Sequence, residues 1–118
     1  MPCVFLYGTL KRGGTSHRLL QDQRFVGAAR TQPAFRLYQL DGYPGLVAAG
    51  TDGRSIEGEI WEVTAACLAA LDQFEGVAEG LYARAPIALL PPHDGLAVEG
   101  YLYRRSVAGR RDLGTGFD

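Results

Sequence analysis

Four apolar or aromatic positions in a row, Val4-Phe5-Leu6-Tyr7, open the hydrophobic pattern, and their β-branching and aromaticity predict a buried strand. Gly8 interrupts the run, and Gly13-Gly14 closes the short basic segment behind it. Thr15 and Ser16 are N-cap residues for a short helix through Arg18, Leu19 and Leu20. Residues 24–30 (RFVGAAR) predict a strand that carries a glycine and is broken by Thr31-Gln32-Pro33. Residues 34–40 alternate, with Phe35, Leu37 and Gln39 on one side. The turn pairs Asp41-Gly42 and Pro44-Gly45 lead into a short apolar strand over 45–49, ended by Thr51-Asp52-Gly53. Residues 55–63 alternate again, with Glu57, Glu59 and Trp61 on one face. Thr64 caps the one long helix, from Ala65 to about Glu75, and Gly76 and Gly80 are its stop signals. Residues 82–90 read as a strand in which Pro86 marks an edge or a bulge. Residues 91–95 make a turn and 97–104 the final strand, and the glycine-rich tail 106–118 reads as irregular or frayed.

Six or seven short strands with one main and one short helix predict an α+β fold. A small mixed sheet that curls into a barrel is the economical way to bury so many short strands, with the helix covering one side. The 118 residues make one domain, 1–118, large enough for a core without metal or disulfide. A formal net charge of -1 argues against nucleic acid as the partner, because phosphate binding needs a basic face. Cys3 and Cys67 lie far apart and no signal-peptide segment opens the chain, which points to a reducing cytoplasm. No apolar run reaches the length of a membrane span. Nothing calls for more than a monomer.

Two stretches carry candidate chemistry. A strand, a tight glycine turn and a helix start bring several backbone N–H groups to one point, which suits a small carboxylate. The turn lacks nucleotide-loop spacing, so nucleotide binding has little support. In the long helix, Leu68, Leu71 and Phe74 form the apolar stripe, and Glu75 falls on it with Asp72 at its border. Burial and the negative end of the helix dipole both oppose ionisation of Glu75, so its pKa is expected to rise. Such a group suits a proton shuttle near neutral pH; the alternative is a frayed last turn that swings Glu75 into solvent. His17 or His93 with Cys3 or Cys67 would make a nucleophilic dyad, but these positions read more simply as packing and turn residues. Glu57 and Glu59 read as a solvated sheet face. Tyr7, Tyr82, Tyr101 and Tyr103 read as ordinary strand residues unless the barrel gathers them.

The segments Tyr7-Gly8-Thr9-Leu10-Lys11-Arg12-Gly13 with His17-Arg18-Leu19-Leu20, and Leu71-Asp72-Gln73-Phe74-Glu75-Gly76-Val77 with Leu81-Tyr82-Ala83-Arg84, resemble the gamma-glutamylcyclotransferase superfamily. Within it the likeness is to the gamma-glutamylamine cyclotransferase and AIG2-like branch. A third segment, Glu57-Gly58-Glu59-Ile60-Trp61-Glu62-Val63, resembles the family's strand before the helix, and the likeness runs from Val4 to about Tyr103. The tail after Ala108 lacks the tryptophan that many relatives carry. The resemblance implies that Tyr7, Gly8, Thr9 and Leu10 form the substrate loop, that Glu75 is the catalytic acid/base and that Tyr82 supports the site. It implies formation of 5-oxoproline from a small gamma-glutamyl substrate with release of the amine, and no metal, cofactor or protein nucleophile. The rival readings are a non-catalytic module of the same fold that binds a small carboxylate, and an amidase that uses water and releases glutamate. The identity of the departing amine stays open.

Overall fold

β1 (Cys3–Leu6) is buried on both faces of a sheet, which is why its sequence runs apolar without alternation. Val4 and Leu6 point into one core cluster, with Leu20, Val63, Leu71 and Tyr101; Phe5 and Tyr7 point into the other, with Leu37, Leu46, Ile60 and Ile87. The structure is a computed structural model and describes residues 1–117.

The remaining strands are β2 (Arg24–Arg30), β3 (Phe35–Gln39), β4 (Pro44–Ala48), β5 (Glu57–Glu62), β6 (Tyr82–Pro86) and β7 (Glu99–Tyr103). They form one mixed, curled sheet in the order β2-β5-β1-β7-β4-β3, with β6 also paired to β7. β7 is the branch point. It runs antiparallel to β6 along its whole length, while on the other side it meets β1 in parallel at Glu99 and β4 in parallel at Leu102. β1 and β4 therefore diverge, and the chain leaving β1 enters the gap between them. The curled mixed sheet with one main helix is the architecture the pattern predicts.

α1 (Ala65–Phe74) begins at Thr64, whose side chain accepts the Cys67 N–H at 3.1 Å. Its buried residues are Cys67 and Leu71, whereas Phe74 is 45 % exposed. The apolar stripe is thus rotated by one position from Leu68-Leu71-Phe74. No helix among the described residues is long and apolar enough to cross a membrane.

Four local expectations change. The turn after Thr15-Ser16 is a single 3-10 turn, His17–Leu20, and the Ser16 side chain does not cap it. β6 ends at Pro86: Ile87 N–H still donates to Val98 O at 3.0 Å, and the segment then turns to the end of β2, with Gln32 N–H donating to Ala88 O at 2.9 Å and Leu90 N–H to Arg30 O at 2.8 Å. Trp61 shares a strand side with Glu57 and Glu59 but is only 6 % exposed, because Phe25 of β2 and His17 pack edge-on against its ring. The tail is irregular without being frayed. Leu113 N–H donates to Leu37 O at 2.8 Å, Glu57 N–H donates to Thr115 O at 2.7 Å, and Leu113 and Phe117 pack on the second core cluster.

Candidate active site

The chain leaves β1 through Tyr7 and turns at once, with Lys11 N–H donating to Gly8 O at 3.1 Å. A glycine is required at position 8, since a Cβ there would lie 2.8 Å from Pro44 Cγ. The turn is braced from several sides. Ser16 N–H donates to Thr9 O at 3.0 Å, and His17 Nδ1 lies 2.9 Å from Leu10 O. Glu59 accepts the Arg12 N–H at 3.0 Å, Arg12 Nε at 3.2 Å and Trp61 Nε1 at 3.2 Å. Burial disfavours the Glu59 charge, yet these donors hold its carboxyl below the usual range. Glu59 is thus an anchor for the turn, not a wetted surface group, and Arg12 also stacks 3.7 Å over the Phe25 ring. Lys11 Nζ donates to Phe117 O at 2.7 Å. With so much fixed, the N–H groups of Tyr7, Gly8, Thr9 and Leu10 donate to no other atom among the described residues. Unpaired main-chain donors off the surface are rare, and an oxygen-bearing ligand would satisfy them.

These donors border a pocket of about 360 Å³. The turn lines it with Tyr7 to Leu10, the end of α1 with Phe74 and Glu75, the start of β6 with Leu81 and Tyr82, the entry to β4 with Gly42, Tyr43 and Pro44, and β7 with Tyr101. All six residues singled out from the sequence, Tyr7, Gly8, Thr9, Leu10, Glu75 and Tyr82, meet there. The barrel gathers Tyr7, Tyr82 and Tyr101, as the conditional reading of the tyrosines allowed; Phe74 was read only as part of the helix's apolar stripe.

Glu75 stands at the C-cap of α1 and does not fray. Its N–H donates to Leu71 O at 2.9 Å. Gly76, at φ +67°, donates to Gln73 O at 3.1 Å, and Val77 N–H donates to Asp72 O at 3.1 Å. This pair of bonds around a left-handed glycine locks the helix end. The Glu75 side chain is half-buried and burial raises its pKa to about 7. Among the described residues it is the only carboxylate that lines the pocket.

The tyrosines around it are already committed. Tyr7 OH donates to Tyr101 O at 2.7 Å and accepts the Leu46 N–H at 3.3 Å, bridging β7 and β4 just beyond the end of β1. Tyr82 OH donates to Pro44 O and Tyr101 OH to Asp72 Oδ1, both at 2.7 Å. Burial, with the nearby charge of Glu75 among the lesser causes, pushes all three hydroxyls well above their ordinary value. None ionises near neutral pH, so Glu75 is the group there that can exchange a proton. The nucleophilic dyad has no geometry behind it, since Cys67 Sγ donates to Leu19 O at 3.5 Å and His93 lies against Gly27 of β2. Among the described residues, no group of three His, Cys, Asp or Glu side chains is placed to hold a metal ion.

The curled sheet thus carries one pocket lined both by an amide-rich turn and by a carboxyl of raised pKa. Residues 4–116 match the family described as Gamma-glutamyl cyclotransferase, AIG2-like, and the chain belongs to that family. It is 36 % identical to the human gamma-glutamylaminecyclotransferase over 129 residues, covering 90 % of this chain and 80 % of the human one. A Vibrio cholerae protein provisionally named gamma-glutamylcyclotransferase is 42 % identical over 74 residues, 63 % of this chain and 62 % of its own. An Arabidopsis thaliana protein of the same provisional name is 35 % identical over 108 residues, 84 % of this chain and 57 % of its own. The matches thus span about three-fifths of these last two relatives. Among solved structures, an AIG2-like protein from Mus musculus superposes with a TM-score of 0.79 at 27 % identity, over 100 % of this chain and 88 % of that one. A uropathogenic E. coli-specific protein gives a TM-score of 0.80 at 29 % identity, over 95 % and 87 %.

Proposed function

We propose that the protein is a gamma-glutamyl cyclotransferase that converts a gamma-glutamyl amine or amino acid into 5-oxoproline and the free amine, with Glu75 as general acid/base. The observation that carries this reading is the pairing of one raised-pKa carboxyl with a turn of undonated N–H groups across a single pocket. Membership of the family supports the reaction class, and the name of the human relative supports an amine as the departing group.

In this mechanism the amides of the Tyr7–Leu10 turn hold the anionic oxygens of the substrate and its tetrahedral intermediate. Ionised Glu75 takes a proton from the α-ammonium, and the freed amine attacks its own γ-carbonyl carbon. As the old C–N bond breaks, the Glu75 carboxylic acid passes its proton to the departing nitrogen. The surplus proton on the ring nitrogen follows the same route, so the amine leaves as an ammonium and Glu75 ends ionised. Nucleophile and electrophile share one molecule, and holding them in line supplies about 7–11 kcal/mol of the acceleration. A glutamate pKa of about 7 lets the same side chain accept and return the proton at neutral pH.

Glu75→Gln tests this directly, because it keeps size and hydrogen-bonding capacity while removing the proton carrier. Release of 5-oxoproline should fall by about 10²–10⁴-fold with 5-oxoproline affinity nearly unchanged. Undiminished turnover in that variant rejects the catalytic role. A binding module would show no turnover by the wild-type protein with any gamma-glutamyl compound, and an amidase would release glutamate in place of the cyclic product.

A further inference from the structure

We propose that Asp72 is a positioning residue for Glu75: by holding Tyr101 and Arg84 at once, it fixes the last turn of α1 beside the pocket. The role of Glu75 is that of the preceding section; the place of Asp72 is set by its own contacts.

The last turn has little else to hold it against the sheet. Leu71 is fully buried, but Gln73 is exposed and Phe74 is 45 % exposed. The bonds around Gly76 fix the shape of the turn without fixing where it stands. Asp72 supplies that tie. Its Oδ1 accepts the Tyr101 hydroxyl at 2.7 Å, and its Oδ2 pairs with the Arg84 guanidinium, which Glu99 holds from the other side at 3.2 Å. Glu75 follows three residues later and therefore projects from the same side of the helix. Bonds to an ionised carboxylate are roughly twice as strong as those between neutral groups, so an Asp locks this turn better than an Asn would.

Tyr101 makes the arrangement a gauge. Its ring hydroxyl holds the helix that carries the acid, while its main-chain carbonyl accepts the Tyr7 hydroxyl at the start of the amide turn. The two walls of the pocket are thus referred to one residue of β7, and their separation follows from the covalent length of that residue. Neither bond involves an atom of Glu75, which is why Asp72 positions and does not react.

The test uses the full chain and the variants Asp72→Ala, Asp72→Asn and Tyr101→Phe, with Arg36→Ala as a comparator that removes an ion pair from β3. Turnover of a gamma-glutamyl alkylamide is followed by 5-oxoproline release. Asp72→Ala should lose about 100-fold in kcat, the scale of a misplacement near 1 Å, with KM changed by less than about threefold. Asp72→Asn, which still accepts the Tyr101 hydroxyl, should lie between Asp72→Ala and wild type, and Tyr101→Phe should also lower kcat. Arg36→Ala should lose stability and keep kcat. In protein labelled with 13C-glutamate, the Glu75 carboxyl should titrate at lower pH in Tyr101→Phe, which keeps the Asp72 charge, than in wild type, because the released turn admits water. That titration reads position without turnover, so a wild type that processes no gamma-glutamyl compound defeats the enzyme reading alone. Should Asp72→Ala fail to fold, Asp72→Asn and Tyr101→Phe carry both measurements. Wild-type kcat in folded Asp72 variants, or an unmoved Glu75 titration in folded Tyr101→Phe, overturns the proposal.

Discussion

Glu75 sits at the point where the needs of the fold and of the proposed reaction oppose each other. Its carboxyl titrates at about 7 in the folded chain against an ordinary 4.5. Below that ordinary value both folded and unfolded states carry the proton, and the burial costs nothing. As pH rises, the unfolded chain ionises first, so stability is lost progressively until the folded carboxyl has also ionised near pH 7. Glu75→Gln should therefore be more stable than wild type at about pH 8, by on the order of 1–3 kcal/mol, and equal to it near pH 4. Urea unfolding at the two pH values measures the difference; a constant offset would mean that Glu75 is not buried as a charge. The same group should put the acid limb of kcat/KM near pH 7, rising toward alkaline pH as the base form appears. Glu75 was legible in the sequence because a carboxylate on an apolar helical stripe is a local anomaly. Asp72 was not, since its partners Tyr101 and Arg84 come from strands that only the folded sheet brings to the helix.

At the scale of the element, the end of α1 depends on Gly76. Its φ of +67° is a conformation that an L side chain adopts at a cost of roughly 1–2 kcal/mol. Gly76→Ala should lower stability by about that amount, and it should lower turnover further than its stability loss explains, because the cap that presents Glu75 is disturbed. Thermal unfolding together with kcat on the folded fraction separates the two effects; unchanged kcat would detach the cap from the site. Thr64 and Gly76 announced both ends of this helix, and the doubly buried β1 announced itself as an unbroken apolar run. The 3-10 turn at His17–Leu20 did not, because Thr15 and Ser16 look like caps whether or not a full helix follows. Nor did the covering of Trp61, which depends on Phe25 arriving from β2. Local pattern fixes which residues alternate, but neighbours distant in sequence decide which side stays wet.

Across the whole molecule, the site exists because the sheet branches at β7 and Tyr7 fills the gap. Tyr7→Phe removes the hydroxyl that joins Tyr101 O to the Leu46 N–H and leaves buried main-chain groups unsatisfied. It should cost about 1–3 kcal/mol of stability and weaken 5-oxoproline binding, read by denaturant melts and calorimetry. Full affinity in that variant would show that the turn keeps its place without the bridge. The tail was the least legible part, since its contacts with Leu37, Glu57 and Lys11 follow no periodicity that a sequence displays.

The half-exposed Phe74 lines the pocket beside Glu75. Under the proposed function, a change at Phe74 would reshape the lining of the pocket while the turn and the acid stay as they are.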